Sequence, residues 1–313
     1  MKDAVTKPAE SLRVLLTDLI DYAGLFPPAA LDMNAAVANY ARYLRGEYAW
    51  MLGRFVLPAS RLGEFEQALL ENEPQPWRLS VLLGPKLEGD NVAVREFSAG
   101  YWKRAQIDCV EVKAASVEQI EKLHRMIGTT ITTYYEVPLG PELLSLLDAI
   151  KRVNGRAKIR TGGVTADAIP ASEAVANFLI ECSRRELPFK ATAGLHHPLR
   201  CVKPLTYDAD APTGTMHGFL NLFLCAGACV VRPLESERLA ARICLLEAEH
   251  PELAFDDDFA YINAFVSPSK REGGASVRLP IQDIRSARRN FAISFGSCSL
   301  EEPIADLKAL NLL

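Results

Sequence analysis

The chain has 313 residues, 35 Lys plus Arg against 39 Asp plus Glu, 49% hydrophobic and 24% charged residues. That profile excludes a disordered chain, a collagen-like repeat and a disulfide mini-scaffold, and leaves one large domain or two small ones at roughly 100–200 residues each. A net charge of −4 offers no global attraction for phosphate backbones or anionic lipid, so neither nucleic acid nor a membrane is expected as a partner.

The first stretch, MKDAVTKPAESLRVLL, has acids and a proline where a signal peptide needs an unbroken apolar core, so export is not expected. The seven cysteines are odd in number and scattered through apolar stretches, which fits a reducing, cytoplasmic setting. Cys225 and Cys229 stand one helical turn apart without ligand-spaced partners and read as buried packing.

Short β-rich runs then alternate with helical ones. The strands read at 20–26, 53–59, 77–84, 107–114, 132–139, 156–163, 188–197 and 290–297, and the helices between them at 31–46, 60–71, 92–104, 116–127, 141–153 and 171–187. Ser116 with Gln119, and Ser299 with Glu302, have capping-box spacing. Eight strands with helical crossovers predict an α/β (β/α)8 barrel of the TIM type, with an open doubly wound sheet as the alternative.

A long insertion, 198–289, separates the seventh and eighth strands and is expected to be a helical lid on the catalytic side, or an oligomer contact, within a single barrel domain spanning 1–313. It contains a Pro/Asp/Gly-rich loop, an apolar helix at 219–231, a helix at 235–249, DDDFAYINAF and SPSKREGGAS. The uncharged run 212–231 holds Gly214, His217, Gly218 and Asn221 and therefore reads as a buried helix rather than a membrane span. Asp256 to Asp258 read as a solvated helix start, without the alternation and glycine of a calcium loop.

Barrel active sites gather at the C-terminal ends of the strands, whose side chains alternate between interior and helix-facing sides. Four successive strands carry polar pairs at i, i+2 spacing near those ends: Glu111 and Lys113, Tyr134 and Glu136, Lys158 and Arg160, Lys190 and Thr192. A purely structural interior would carry Val, Ile and Leu there, so the pattern points to a polar pocket. Asp21 and Tyr22, in DYAGLFPPAA, are candidates for its floor or rim, although a structural turn before Pro27 and Pro28 also accounts for them. Gly162, Gly163, Gly296 and Ser297 sit at strand ends where backbone N–H groups could hold an anion or simply make tight turns.

KIRTGG (158–163) followed by FKATAGLHHP (189–198) resembles the deoxyribose-phosphate aldolase group of class I (β/α)8-barrel aldolases, with one strand ending in Lys-x-x-Thr-Gly and the next carrying Lys-Ala-x-x-Gly. IDCVEVKA and TTYYEVPL extend the resemblance over about 107–197. It implies a Schiff-base lysine at Lys158, a second, pKa-lowering lysine at Lys190, a proton-relay aspartate at Asp108, and no cofactor. Where that group grips phosphate with Gly-Gly, this chain has Leu195, His196 and His197 after Gly194. The parity that turns Glu111 and Lys113 inward turns Asp108 outward unless the strand bulges.

Amine attack on a carbonyl needs the free base, so a lysine with an ordinary pKa of about 10.4 must come down to about 7, roughly 4–5 kcal/mol. A second cation about 6 Å away supplies roughly 2.8 kcal/mol at an effective dielectric near 20. Lys190 or Arg160 could do this for Lys158, and Glu136 or Glu111 would oppose it at equal range. The same cations could instead clamp a carboxylate or phosphate.

His196 and His197 follow the seventh strand and suit general acid–base or substrate-binding roles. A metal would need a bent loop and further ligands from Asp208, Glu136 or His217, without any HExxH or HxH spacing. No GxGxxG, GxxxxGK or GxSxG occurs, which weighs against nucleotide binding and serine-hydrolase chemistry.

The expectation is a carbon–carbon lyase of the class I aldolase kind acting on a small, carbonyl-bearing or anionic substrate. Its catalytic residues would be Lys158, Lys190, Glu136, Glu111, His196 and His197, with Lys113, Arg160, Thr161, Thr192 and Tyr134 binding substrate. The alternatives are a metal-assisted lyase or isomerase using His196 and His197, and a non-catalytic barrel that binds a small anion or a protein partner.

Overall fold

Strands that are apolar on the helix side and mixed on the other can bury both faces only by closing into a barrel under a ring of helices. This is what the computed structural model has, over the residues it describes: 7–69, 76–101, 103–231, 238–265 and 274–313. In chain order the first half holds α1 (Glu10–Leu16), β1 (Ile20–Tyr22), α2 (Met33–Leu44), β2 (Leu52–Pro58), α3 (Leu62–Ala68), β3 (Trp77–Leu82), α4 (Leu87–Tyr101) and β4 (Ala105–Lys113). There follow α5 (Val117–Ile127), β5 (Thr132–Glu136), α6 (Leu143–Arg152), β6 (Arg156–Arg160), α7 (Ser172–Arg184) and β7 (Phe189–Thr192). The eighth barrel strand is far along the chain, at Ala292–Ser297.

Between them lie β8 (Cys201–Pro204), β9 (Thr213–Met216), α8 (Phe219–Val231), α9 (Arg238–Glu247), β10 (Glu252–Phe255), β11 (Phe259–Ala264), β12 (Ala275–Pro280) and α10 (Ile281–Asn290); the last barrel strand is then β13, followed by α11 (Glu301–Ala309). The closed parallel order is β1-β13-β7-β6-β5-β4-β3-β2, so all eight strands read from the sequence take part.

The segment 198–289 is not all helical. Its β8–β9 hairpin follows the C-terminal end of β7, and β10, β11 and β12 form a separate antiparallel sheet. Helix α8 packs on the barrel wall, with Phe219 and Phe223 against Phe295 of β13 and Phe223 against Phe189 of β7. It thereby takes the place of the helix between those two strands. Asn221, the polar residue inside this apolar helix, donates to the carbonyls of Leu245 and Ala248 at 2.8 and 2.9 Å and accepts from the Arg200 amide at 2.9 Å. No described helix is long and apolar enough to cross a membrane. Residues 266–273, which hold most of the SPSKREGGAS stretch, and the start of the helix read from Glu235 lie outside the described residues.

Two local expectations change. Asp256 to Asp258 form the turn between β10 and β11 rather than a helix start, because Asp256 accepts from the amides of Asp258 and Phe259, both at 2.8 Å. Strand β7 ends at Thr192 and not at 197, since Ala193 (φ 62°) and Gly194 (φ 75°) turn the chain through the left-handed region. There Gly194 meets Gly162 so closely that a Cβ on Gly162 would stand 2.8 Å from the Gly194 Cα, which accounts for both glycines by backbone approach. The caps at Ser116 and Ser299 form: Ser116 accepts from the Gln119 amide at 3.2 Å, and Ser299 accepts from the Glu301 and Glu302 amides at 3.1 and 3.2 Å.

The outer side of β1 to β3 is sealed by an aromatic cluster of Tyr22, Tyr40, Phe55, Phe65 and Trp77, with ring centroids as close as 4.6 Å. The seam between first and last strands has its own clasp. Arg288 of α10 donates to the carbonyls of Leu15 (2.8 Å), Thr17 (3.0 Å) and Ile293 (2.5 Å), and also to Ala292. The four bonds tie the end of α1 and the α1–β1 connection to the start of β13, and the charged donor strengthens each of them. Arg288→Met is therefore expected to lower unfolding stability by about 3 kcal/mol, read by urea denaturation.

Candidate active site

Lys158 is flanked by Ala157 and Ile159, which are fully buried against the helix layer, so strand alternation turns its amine into the barrel. The same parity brings Lys190 from β7, Glu136 from β5, Glu111 from β4, Ser80 from β3, Asp21 from β1 and Ser294 from β13 to the interior. Lys158 Nζ lies 2.7 Å from Glu111 Oε2 and 2.6 Å from Glu136 Oε2. Lys190 Nζ lies 2.5 Å from Glu111 Oε1 and 2.6 Å from Asp21 Oδ2. Glu111 thus bridges the two lysines, one oxygen to each.

At the inner end of this chain Ser294 donates to Asp21 Oδ2 at 2.8 Å, and the Arg54 amide donates to Asp21 Oδ1 at 2.8 Å. Ser80 donates to Glu111 Oε1 at 2.5 Å. At the outer end Arg160 reaches Glu136 Oε1 at 3.4 Å, and Arg160 is about half exposed (47%) whereas Lys158 and Lys190 are almost wholly covered (3% and 2%). The array alternates in sign, Asp21, Lys190, Glu111, Lys158, Glu136, Arg160, and runs from the seam of the barrel to its mouth.

Burial by itself would push the carboxyls up. Lys158 and Lys190 nevertheless hold Glu111 well below the usual carboxylate range. Lys158 and then Arg160 hold Glu136 below its ordinary value against burial, and Lys190 and Arg54 do the same for Asp21. Burial works against the charge of Lys190, but Asp21 and Glu111 outweigh it and raise its pKa above the ordinary lysine value. The expectation that Lys190 lowers the pKa of Lys158 meets a carboxylate, Glu111, standing between the two amines.

Strand β4 does bulge. Ile107 pairs with Leu79 and Cys109 with Ser80, leaving Asp108 as the extra residue. Both Asp108 and Glu111 therefore take part in ion pairs, at different levels. Asp108 accepts from Arg78 at 2.8 Å and lies 3.1 Å from Arg54, and Arg78 in turn reaches Asp18 just before β1. This second array is at the N-terminal end of the barrel, and it is Glu111, not Asp108, that touches the lysines.

Of the substrate-binding candidates, Lys113 is exposed at the end of β4 and adds to the positive field on Glu136. Thr192 is the register partner of Arg160, and its Oγ1 lies beside Gly296. Thr161 is fully buried and donates to the Ala193 carbonyl at 2.6 Å, so it pins the chain after β7. Tyr134 is also buried; its hydroxyl accepts from Arg156 at 3.0 Å and its ring faces Lys190 Nζ at 5.4 Å.

The histidines go to α11. His196 Nδ1 stands 3.1 Å from Glu302 Oε2 and 3.9 Å from Cys298 Sγ, and His197 Nδ1 stands 2.5 Å from Asp306 Oδ2. Burial lowers the His196 pKa, but Cys298 and Glu302 more than offset it and push it up to about 9. The other proposed ligands do not join them: His217 Nε2 is 2.8 Å from the Pro170 carbonyl, Asp208 accepts from Thr206 at 2.8 Å, and Glu136 is on Lys158.

No protein-family model, curated protein or solved structure matches the chain.

Three members of the array escape the strand-end criterion. Asp21 is fully buried and carries half of the Lys190 pairing, whereas Tyr22 turns the other way into the aromatic cluster and is not part of the pocket. Ser80 and Ser294 are likewise buried on the array. Ser80 carries the same i, i+2 polarity with Arg78, whereas Ser294 stands between Ala292 and Gly296 at that spacing and shows only as a lone polar residue in an apolar run.

Removing one partner from such an array leaves charges buried and unpaired, so Lys190→Met is expected to cost about 3–5 kcal/mol in urea unfolding. The pH dependence follows from the directions. Carboxyls held below their unfolded values near 4 stabilise the fold above about pH 5 and lose that contribution as pH falls through their folded values. Lys190, held above its unfolded value, stabilises below about pH 10 and loses its contribution as pH rises further. Unfolding midpoints should form a plateau between these limits, and the alkaline fall should shrink in Lys190→Met.

Proposed function

We propose that the protein is an aldolase-like carbon–carbon lyase that forms a Schiff base through Lys158. The observation that carries this reading is the lysine amine in the middle of β6, two residues before its C-terminal end, held between two carboxylates, Glu111 and Glu136, one of which leads to the mouth. A barrel of this kind places its chemistry at the C-terminal strand ends. The resemblance of 158–163 and 189–198 to the deoxyribose-phosphate aldolase group supports the same lysine.

In the resting state Lys158 is paired and must lose a proton before it can attack. Glu136 is the acceptor within reach, at 2.6 Å, and its affinity for a proton is held down in part by Arg160. An anionic substrate bound by exposed Arg160 and Lys113 draws that positive charge away from Glu136 and adds negative charge nearby. Both changes make Glu136 a better base.

The proton then passes from Nζ to Glu136, and the neutral amine adds to the substrate carbonyl. The resulting carbinolamine hydroxyl takes the proton back from Glu136 and leaves as water, giving the iminium. Cleavage of the adjacent carbon–carbon bond sends its electron pair into the iminium, while a carboxylate accepts the proton of the β-hydroxyl as it becomes a carbonyl. Glu111 keeps Lys190 and Lys158 apart and oriented throughout.

Borohydride reduction during incubation with a panel of aldehydes and 2-keto acids, followed by peptide mass spectrometry, tests this. An adduct on Lys158 is expected, with turnover lost by at least about a thousandfold in Lys158→Ala and by about 10²–10⁴ in Glu136→Gln. A substrate with proven turnover that leaves no adduct on Lys158 overturns the reading.

A further inference from the structure

We propose that His196, Cys298 and Glu302 form a binding site for a zinc-class divalent metal ion at the rim of the barrel, separate from the lysine array. The three come from different places: His196 from the loop after β7, Cys298 from the residue after β13, and Glu302 from the first turn of α11. One donor atom from each, Nδ1, Sγ and a carboxylate oxygen, lies within 4.8 Å of the other two. Zinc bonds of about 2.0–2.3 Å in tetrahedral geometry put neighbouring ligand atoms roughly 3.3–3.8 Å apart. The separations of 3.1 Å between His196 and Glu302 and 3.9 Å between His196 and Cys298 need little change to meet that.

The arrangement argues for a cation rather than a nucleophilic triad. In a Cys–His–acid triad the thiol and the acid meet opposite ring nitrogens, so that one orients the imidazole while the other exchanges a proton. Here the thiol and the carboxylate converge on the same nitrogen, Nδ1, which carries at most one hydrogen. A metal ion among the three satisfies all of them at once.

The donor set indicates the class of metal. Thiolate, imidazole and carboxylate together suit zinc and its transition-metal neighbours, and a thiolate disfavours magnesium and calcium. Cys298 and His196 each give up a proton to solvent on binding, so thiolate, carboxylate, neutral imidazole and a divalent ion sum to zero charge in a largely buried site. Three protein ligands leave a fourth position for water or a substrate oxygen. The Tyr207 hydroxyl, 3.7 Å from Cys298 Sγ, borders that position.

The scaffold holds the ligands in place. Ser299 caps α11 just ahead of Glu302, the left-handed turn at Ala193 and Gly194 directs the chain toward His196, and Asp306 keeps His197 out of the site.

Full-length protein treated with chelator and titrated with Co²⁺ tests it. One equivalent should bind with a thiolate-to-cobalt charge-transfer band and be displaced by Zn²⁺. The band should vanish in Cys298→Ser, and affinity should fall at least about tenfold in His196→Ala and Glu302→Gln. His197→Ala and Cys244→Ser should bind as the parent does. In the unsubstituted protein Zn²⁺ should slow alkylation of Cys298, which checks the site without any variant. Absence of a saturable band, a band that survives in Cys298→Ser, or alkylation of Cys298 indifferent to Zn²⁺ overturns the proposal.

Discussion

The pairing of one buried carboxylate, Glu111, with two buried lysines is the constraint around which this barrel is built. Neither amine could be taken out of water alone, and each needs a second carboxylate as well, Asp21 for Lys190 and Glu136 for Lys158. Taking ions into the interior is costly, and the cost is met only when every charge has partners with good geometry. The array draws on β1, β4, β5, β6 and β7, so its completion and the closure of the barrel are one event. Ser294 on β13 completes the partners of Asp21 across the very seam where the first and last strands meet.

Filling a barrel with ions leaves less apolar packing inside it, and the burden of cohesion moves outward. The aromatic cluster outside β1 to β3, helix α8 on β7 and β13, and the Arg288 clasp at the base all lie on the helix side. Within the barrel the charges are sorted by level. Arg54, Arg78, Asp108 and Asp18 tie the N-terminal end together, while Arg160 and Lys113 leave positive charge exposed at the C-terminal end. Structural pairing below and accessible charge above match the division of a barrel into a stabilising face and a reactive one.

The eight strands were legible because a parallel barrel strand must be apolar toward the helices whatever its interior face carries, and that demand shows in every run. Strand ends were less so: β7 stops at Thr192 because of a backbone contact between Gly162 and Gly194, which belong to different βα units. The charged pairs on β4 to β7 were legible as breaks in an apolar interior. Asp21 was legible only as a candidate for the pocket's floor or rim, because it sits in a three-residue strand beside a proline-rich turn, and the level of Asp108 turned on a bulge that only strand pairing reveals. Cys298 and Glu302 carry no signal of their own, since their meaning lies in their approach to His196 from elements about a hundred residues away along the chain.

Alternation of apolar and polar residues is a local property, and it was enough to specify an α/β class of fold, the positions of its eight strands and the shared inward face of Glu111, Glu136, Lys158 and Lys190, while closure into a barrel was left to the pairing of the strands. Who pairs with whom was beyond it. Lys190 meets Asp21 across 169 positions and Glu111 across 79, at distances set by the register and closure of the barrel. Composition and spacing placed Lys190 or Arg160 beside Lys158 and suggested that the second cation would lower the pKa of Lys158. The folded chain puts Glu111 between the two lysines, and because electrostatic energy depends on distances of a few ångströms rather than on sequence separation, Asp21 and Glu111 together raise the pKa of Lys190 against its burial.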